Sequence, residues 1–347
     1  MDVPHVAVVG AGHMGRHHAR VYHLLAQRGL CRLVAVVDKR PDAAHALADE
    51  FACEALADTA LLPGRVQAAS IVTPTTQHLA CAAPLLQAGI ACLVEKPLAP
   101  DSAAAEELVR IARDARTMLS VGHIERFNPV VRAIRERGVR PRFIEAHRIS
   151  PFSFRSADVS VVLDMMIHDI DVVLSLIGSE PATIDAVGVA VIGRAQDVVS
   201  ARLRFPDGSV ADLTASRLAI KTERKIRCFS PDAYVSMDYQ KKTGLAIFKQ
   251  ANDELLEQVR RLAGPDGDLG ALAGAGFDYT RLVNIEPLTP SATDQLEVEL
   301  TSFLQAVRDA TPPEVSGEDG LAAVRTAERI EAACINPADP PHPADTR

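Results

Sequence analysis

The stretch Val6–Arg16, VAVVGAGHMGR, constrains the fold more than any other part of the chain. Its apolar first half predicts a buried parallel strand, and Gly10, Gly12 and Gly15 follow the spacing G-x-G-x-x-G ahead of a helical segment. Gly10 permits the tight turn, Gly12 lets a pyrophosphate approach the backbone, and Gly15 lets the helix pack close to the strand. The order strand, glycine turn and helix therefore predicts a dinucleotide-binding unit.

A second apolar run, Leu33–Val37, ends at Asp38, which lies 23 residues after Gly15. In dinucleotide-binding folds, an acid at an offset of about 20 residues binds the adenosine ribose diol. Asp38 favours NAD over NADP because its charge repels a 2′-phosphate, although Lys39 and Arg40 directly after it leave NADP possible.

The composition is that of a globular protein, with 48% hydrophobic and 24% charged residues in a chain of 347. The net charge of −8 is spread along the chain without a basic block, so we expect no nucleic-acid partner. No uncharged apolar stretch reaches about 18 residues, and the first apolar run is the cofactor strand, so we expect no membrane span and no secretory signal. The six cysteines lack metal-binding spacing, which indicates reduced thiols in a cytoplasmic protein.

Strand-like and helical segments alternate up to residue 123, which predicts an α/β domain with a doubly wound parallel sheet over 1–123. From residue 124 the pattern changes to a helix over 128–137, a strand over 142–150, a long apolar helix over 159–177, closely spaced strands between 183 and 249, and two final helices over 295–309 and 320–333. We therefore predict a second, α+β domain over 124–335 with a large, mostly antiparallel, open-faced sheet of about six strands. The proline-rich tail 336–347 is predicted to be disordered.

Polar residues follow the predicted parallel strands, at the edge of the sheet where ligands bind. Lys96 in Glu95-Lys96-Pro97 is expected next to the nicotinamide end of a dinucleotide, with an ordinary surface lysine as the alternative. His78 follows Thr73-Pro74-Thr75, where helix packing is as plausible as a role at the ligand. The candidate cofactor-binding residues are Gly10, Gly12, His13, Met14, Gly15, Asp38, Lys39, Thr73, Pro74, Thr75, His78, Glu95 and Lys96.

Asp164, His168 and Asp171 are spaced i, i+4 and i+7 on the predicted helix 159–177, so they share one face. Almost every other position is apolar, which predicts burial, and buried charges persist only when they are paired or functional. We expect Asp164 to orient His168 for acid–base catalysis, with a core histidine and its carboxylate partner as the alternative. No third ligand follows at metal-binding spacing, so we expect no metal.

Taken in order, GAGHMG, the strand end at Asp38, TPT, EKP and the D-x-x-x-H helix resemble the Gfo/Idh/MocA family of sugar and polyol dehydrogenases. The resemblance covers about residues 5–250 and the last two helices. It implies a Rossmann domain followed by an open-faced domain whose sheet often forms the subunit interface. It also implies that Lys96, Asp164 and His168 match the family's catalytic residues, and that the Lys96–Pro97 peptide bond is cis.

Within the family, GHIERFNP (122–129) and VVLDMMIHDID (161–171) resemble the nucleotide-sugar branch, and more narrowly the UDP-N-acetylglucosamine 3-dehydrogenases. Arg148 and Arg155 are candidates for a UDP pyrophosphate because arginine forks match phosphate oxygens, with solvated loop arginines as the alternative. Arg126 is a candidate for the substrate or for a structural ion pair. The candidate substrate-binding residues are His123, Arg126, Asn128, Arg148, Arg155 and Asp171.

The resemblance therefore implies NAD-dependent oxidation of a secondary alcohol, best matched by UDP-N-acetylglucosamine and its 3-keto product in lipid A precursor synthesis. We expect His168 to accept the alcohol proton and Lys96 to stabilise the oxygen, although Lys96 as the main base stays open. The alternatives are a dehydrogenase of a free sugar, inositol or sugar phosphate, an NAD-dependent glycoside hydrolase of this fold, and a non-catalytic dinucleotide sensor. An open sheet needs cover, so we expect a homodimer or homotetramer formed through the second domain.

Overall fold

The computed structural model describes residues 3–152, 159–192, 195–241, 243–251, 253–263, 282–288 and 294–334. The candidate Arg155 and the predicted tail 336–347 lie outside these residues. The described part contains two β-sheets and the helices that pack on them.

The first sheet has six parallel strands in the order β3-β2-β1-β4-β5-β6. The strands are β1 (His5–Val9), β2 (Arg32–Val37), β3 (Glu54–Leu56), β4 (Ala68–Ile71), β5 (Ala91–Glu95) and β6 (Leu119–Gly122), and the helices between them are α1 (His13–Gln27), α2 (Pro41–Phe51), α3 (His78–Gln87) and α4 (Ser102–Ala115). Val6 and Val8 pack into one apolar cluster and Ala7 and Val9 into another, so both faces are covered. The predicted doubly wound sheet is confirmed, and its order reverses between β1 and β4, where such sheets bind ligands.

The glycine turn after β1 has the conformation that its spacing predicts. Gly10 has φ +112°, a backbone conformation that favours glycine, and its N–H donates to the carbonyl of Val37 on the neighbouring strand. A Cβ atom added at Gly15 would lie 1.8 Å from the Gly10 carbonyl oxygen, so only glycine allows helix α1 to start this close to the turn.

The second sheet has eight strands in the order β14-β13-β12-β11-β7-β10-β9-β8, and only the pair β7–β10 is parallel. The strands are β7 (Phe143–Ile149), β8 (Thr183–Val189), β9 (Val198–Arg204), β10 (Val210–Ser216), β11 (Glu223–Phe229), β12 (Ala233–Asp238), β13 (Thr243–Lys249) and β14 (Val283–Leu288). The prediction of a large, mostly antiparallel sheet is confirmed. The expected six strands are joined by β7, which pairs in the middle of the sheet, and by β14 at its edge.

Helices connect the two sheets. The helices after β6 are α5 (Pro129–Glu136), α6 (Ile167–Ile177), α7 (Asp253–Ala263), α8 (Gln295–Asp309) and α9 (Gly317–Cys334). Helix α8 places Leu300 and Phe303 in the same apolar cluster as Val6 of the first sheet, and helix α9 packs against α4, α6 and β8. The end of the chain thus returns to the first sheet, and the division at residue 123 stays a prediction.

The second sheet has one covered and one open face. Along β7, Ile144 and Ala146 are buried against the helices, while the alternate residues Glu145 and His147 lie on the other face. The homodimer or homotetramer expected through this open face stays a prediction. Across the described ranges, no helix combines the length and the apolar character needed to cross a bilayer.

We expect Gly15→Ala to destabilise the NAD-free protein by about 3 kcal/mol or more, because the new methyl group meets a backbone oxygen that cannot move independently. Gly12→Ala is the matched control, since a Cβ there would meet no atom within 4 Å. Thermal unfolding followed by circular dichroism should show a clear loss of Tm for the first variant and little change for the second. Equal Tm values for both variants would contradict the close approach at Gly15.

Candidate active site

The glycine turn forms an open surface at the start of helix α1. Gly12 is exposed and has free space where a side chain would stand, and His13 and Met14 are the exposed first residues of the helix. The backbone N–H groups of a helix N-terminus bind phosphate well, and the open surface at Gly12 would admit a pyrophosphate. These residues therefore fit the phosphates of a dinucleotide.

Asp38 follows strand β2 and contacts the glycine turn through a hydrogen bond to Ala11. Its Oδ2 accepts a hydrogen bond from the Ala11 N–H at 2.8 Å, and its Oδ1 accepts one from the Arg40 N–H at 2.9 Å. Burial raises the pKa of Asp38, but the hydrogen bonds from Arg40 and Ala11 outweigh burial and hold the pKa below its ordinary value. Asp38 is thus a fixed carboxylate beside the phosphate-binding turn, while Lys39 is exposed.

His78 joins the turns that follow strands β4 and β5. It is 1% exposed, its Nε2 lies 3.0 Å from the Thr73 carbonyl oxygen, and its Nδ1 lies 3.1 Å from the Pro97 carbonyl oxygen. Burial lowers the pKa of His78 below 6.5. We correct its candidate role in cofactor contact, because both ring nitrogens face backbone carbonyls. Its position supports Thr73-Pro74-Thr75 and Lys96-Pro97, whose peptide bond is cis as expected.

Lys96 stands at the end of strand β5 and reaches across to the second half of the chain. Its Nζ donates a hydrogen bond to the backbone carbonyl of Asp164 at 2.9 Å. Burial lowers the pKa of Lys96 below its ordinary value of 10.5, and the carboxylates of Asp164 and Glu95 offset only part of that effect. Glu95 is itself held in place, since its Oε1 lies 3.0 Å from Nε2 of the buried His18.

The helix that carries Asp164 and His168 is not a continuous α-helix. Residues Val162–Met166 form a π-helical turn, and regular α-helix begins only at Ile167. A spacing of i, i+4 places two side chains together only in an α-helix, and among the described residues no hydrogen bond joins Asp164 to His168. We therefore correct the expected orientation of the His168 ring by Asp164: Asp164 binds Lys96 through its backbone oxygen instead. Single π-helical turns occur frequently at functional sites.

His168 stands in a positively charged environment. Burial lowers its pKa well below 6.5, and the positive charges of Lys96 and Arg148 lower it further. Its Nδ1 is buried without a hydrogen-bond partner within the described part of the chain, and the same holds for both ring nitrogens of His123. Neutral imidazoles with unused nitrogens beside a lysine can accept a proton from a bound alcohol.

Two buried arginines hold helix α6 in place. Arg148 donates to both carboxylate oxygens of Asp169 at 2.8 Å and to Glu125 at 3.2 Å. Arg126 donates to Asp171 at 2.8 and 2.9 Å. Each arginine is at most 4% exposed. Charge-assisted, bidentate pairs of this kind are specific in geometry, so they fix the start of helix α6 and with it His168, the residue before Asp169.

These pairs, together with one helix cap, correct four candidate substrate contacts. The guanidinium of Arg148 is buried and occupied by carboxylates, so it does not reach a pyrophosphate, and Arg126 and Asp171 occupy each other. The Oδ1 atom of Asn128 accepts the Val130 N–H and caps helix α5. His123 is buried beside the ion pair, with Nε2 4.0 Å from Asp171, and remains a candidate.

Two residues next to Arg148 did not stand out in the sequence. Tyr239, at the end of strand β12, has a buried hydroxyl without a partner in the described ranges, and the Arg148 guanidinium lies 5.7 Å from the centre of its ring. Arg224, near the start of β11, lowers the pKa of both Lys96 and His168 through its positive charge. Neither residue belongs to a recognisable motif. Across the described residues, no group of three or more His, Cys, Asp or Glu is placed to hold a metal.

We expect Arg148→Met to lower the free energy of unfolding by about 3–5 kcal/mol, because it leaves Asp169 and Glu125 buried without their cation. Arg202→Met is the matched control: this arginine pairs with Asp212 at 2.6 and 2.7 Å but is half exposed, so its loss should cost about 0–1 kcal/mol. Urea unfolding in the absence of any ligand measures both. Equal stability of the two variants would return Arg148 to the candidates for phosphate binding.

Comparison with known proteins gives the same picture for the whole chain. Residues 5–123 match an oxidoreductase family with an NAD-binding Rossmann fold, and residues 131–230 match the GFO/IDH/MocA C-terminal domain. UDP-N-acetylglucosamine 3-dehydrogenase of Acidithiobacillus ferrooxidans is 34% identical over 94% of this chain and 96% of its own length. Inositol 2-dehydrogenase of Rhizobium meliloti is 26% identical over 92% of this chain and 94% of its own.

Solved structures agree with these matches. A structure of the Acidithiobacillus ferrooxidans enzyme is similar with a TM-score of 0.82 at 33% identity, over 96% of this chain and 98% of that one. Levoglucosan dehydrogenase in complex with NADH and levoglucosan shares the fold, with a TM-score of 0.79 at 17% identity over 95% of this chain and 97% of that one. With its glycine turn, its cis Lys96–Pro97 bond and these similarities, the chain belongs to the Gfo/Idh/MocA family of NAD-binding oxidoreductases.

Proposed function

We propose that the protein oxidises the C3 hydroxyl of UDP-N-acetylglucosamine with NAD and supplies the 3-keto sugar for lipid A precursor synthesis. One observation supports this most directly: Lys96 follows strand β5 and acts electrostatically on His168 of helix α6, in a chain similar over 94% of its length to an enzyme of that name. The broader activity, oxidation of a CH–OH group, is shared by the sugar and inositol dehydrogenases among its relatives.

One group of residues in the site would bind the cofactor, and a second group would act on the proton of the substrate. Gly10, Gly12 and Gly15 would hold the pyrophosphate of NAD, and Asp38 would bind its adenosine ribose. When bound, NAD supplies the acceptor for the hydride of the alcohol carbon. The fixed charge of Asp38 repels a 2′-phosphate, which favours NAD over NADP.

His168 and Lys96 act on the substrate hydroxyl. His168 is neutral in the free protein, so it can accept the hydroxyl proton, and Lys96 donates a hydrogen bond that stabilises the negative charge developing on the oxygen. Asp164 holds the lysine through its backbone carbonyl, which leaves the two other protons of the ammonium group for the substrate. The two groups thereby serve as base and electrostatic stabiliser of one oxygen atom.

We expect NADH to form when the purified protein meets NAD and UDP-N-acetylglucosamine, with an aminotransferase and an amino donor present to draw off the keto sugar. Free N-acetylglucosamine, myo-inositol and other UDP-hexoses serve as controls in the same absorbance assay. NADH from inositol but from no UDP sugar would contradict the proposed substrate and favour the inositol dehydrogenases among the relatives. Cleavage of a glycoside without net NADH would indicate the hydrolase alternative.

We expect His168→Asn to lower kcat by about 10²–10⁴-fold and Lys96→Met by about 10²–10³-fold, with NAD binding retained in both.

In the parent protein the acid limb of the pH profile of kcat/KM should lie below pH 6.5, because a base with a lowered pKa becomes protonated only at lower pH. The alkaline limb should lie below pH 10.5 if the charged form of Lys96 is required. Loss of the acid limb in His168→Asn alone would identify His168 as the base, and near-normal turnover in both variants would refute these roles.

A further inference from the structure

Arg224 lies on the covered face of the second sheet, at the point where that face opens. It pairs directly with Arg148 across strands β11 and β7, and the next pairs on the same face, Ile226 with Ala146 and Cys228 with Ile144, are buried. Residues directly opposite each other on antiparallel strands project to the same side, so Arg224 projects to the side of Arg148. Arg148 is buried whereas Arg224 is exposed, which places Arg224 at the mouth above the buried arginine.

Arg224 is close enough to Lys96 and His168 for its charge to act on both. Its positive charge disfavours the protonated forms of these two side chains, so it adds to the effect of burial on each. Three groups that are or become cationic therefore lie within electrostatic reach of one another. The like charges repel one another when no ligand is bound, which costs free energy. A negatively charged ligand would relieve this repulsion, so such a cluster is expected where an anion binds.

The guanidinium of Arg224 has no ion-pair partner among the described residues, unlike its neighbours in the sheet. Arg227, on the same strand, pairs with Glu145 at 2.8 Å, and Arg217 in the preceding connection pairs with Asp197 at 2.7 Å. Arg217 and Arg227 thus have carboxylate partners, whereas Arg224 has none in the described part of the chain. Its donors are available to a ligand.

We propose that Arg224 binds the phosphate groups of the substrate and thereby selects a nucleoside diphosphate sugar over a neutral sugar or polyol. The inference rests on the proposed function, because it assumes that the sugar alcohol reacts at Lys96 and His168. The planar guanidinium presents two parallel N–H groups that match two phosphate oxygens. Arg224 takes over the role that the sequence argument assigned to Arg148, whose donors are already used.

The connection that precedes strand β11 offers space for the rest of such a substrate. An open cavity of about 820 Å³ is lined by Phe152, Leu218, Ala219, Ile220 and Lys221. The last four of these residues belong to the connection that leads into strand β11, of which Arg224 is the second residue. Ile220 is 95% exposed, so this connection presents apolar surface in the same chain segment as the cationic residues Lys221 and Arg224. An apolar surface beside phosphate-binding cations suits the nucleoside end of the ligand.

The test compares Arg224→Gln with Lys225→Gln in the NAD-saturated enzyme. Lys225 is the next residue on the strand, projects to the other face and pairs with Glu223, so it matches the change of charge on the face away from Arg148. We expect Arg224→Gln to raise KM for UDP-N-acetylglucosamine and the inhibition constant of UDP by about 10- to 100-fold, with kcat changed only a few-fold. Lys225→Gln should leave all three constants unchanged, and Arg224→Lys should recover part of the loss.

Direct titration of UDP into the NAD-bound protein by calorimetry separates this inference from the proposed reaction. UDP binding that is lost in Arg224→Gln would support the phosphate role even if no sugar nucleotide is oxidised. Equal UDP affinity in both proteins would overturn it, as would the absence of UDP binding to the parent protein. An unchanged KM for UDP-N-acetylglucosamine in Arg224→Gln would also overturn the inference. Circular dichroism of each variant verifies that the fold is retained.

Discussion

The position of His168 depends on buried ion pairs where the two sheets meet. Asp169 and Asp171, which both follow it on helix α6, are held by Arg148 from the second sheet and by Arg126 from the turn after the first sheet. A buried pair of this kind contributes little net stability, because desolvation of both charges offsets their attraction. What it contributes is geometry, since each bidentate contact allows one arrangement of helix and strand. A helix held only by apolar side chains would not be restricted to one rotation in this way.

The hydrogen bond from Lys96 to the Asp164 carbonyl adds a second constraint at the same junction. The π-helical turn at Val162–Met166 lies where this lysine arrives, and a backbone oxygen of the turn accepts its ammonium group. A carboxylate in direct contact would hold the lysine more tightly and neutralise it. A carbonyl orients the ammonium group without neutralising it, so the charge remains available to an alkoxide.

The first half of the fold followed from the sequence because its signals are local. Each parallel strand is a short apolar run, and the glycine spacing identifies the turn that binds phosphate. In the second sheet, β14 (Val283–Leu288) was missed because it is a half-exposed edge strand that contains Pro287 and shows no clear apolar alternation. Helix α7 (Asp253–Ala263) was also missed, since its charged residues hid its period within a longer polar segment.

Within the site, motifs identified Lys96 and the glycine turn but did not identify which arginine is free. Arg148 and Arg224 are 76 positions apart in sequence and directly opposite each other in the sheet. Only the pairing of strands, together with Asp169 and Glu125 on other elements, assigns one to the interior and the other to the mouth. Similarly, the spacing from Asp164 to His168 indicates a shared face only if the helix is α-helical throughout, and a π-helical turn cannot be read from spacing.

The charges of the site have a consequence for proton transfer in the proposed reaction. In the free protein His168 is surrounded by the cations Lys96, Arg148 and Arg224 and holds a proton weakly. A diphosphate bound at Arg224 brings negative charge to the same region, and opposite charge favours the protonated form of a histidine. The affinity of His168 for a proton therefore rises when substrate binds. A neutral polyol makes no such change, so the same charge that retains a sugar nucleotide also favours the removal of its hydroxyl proton.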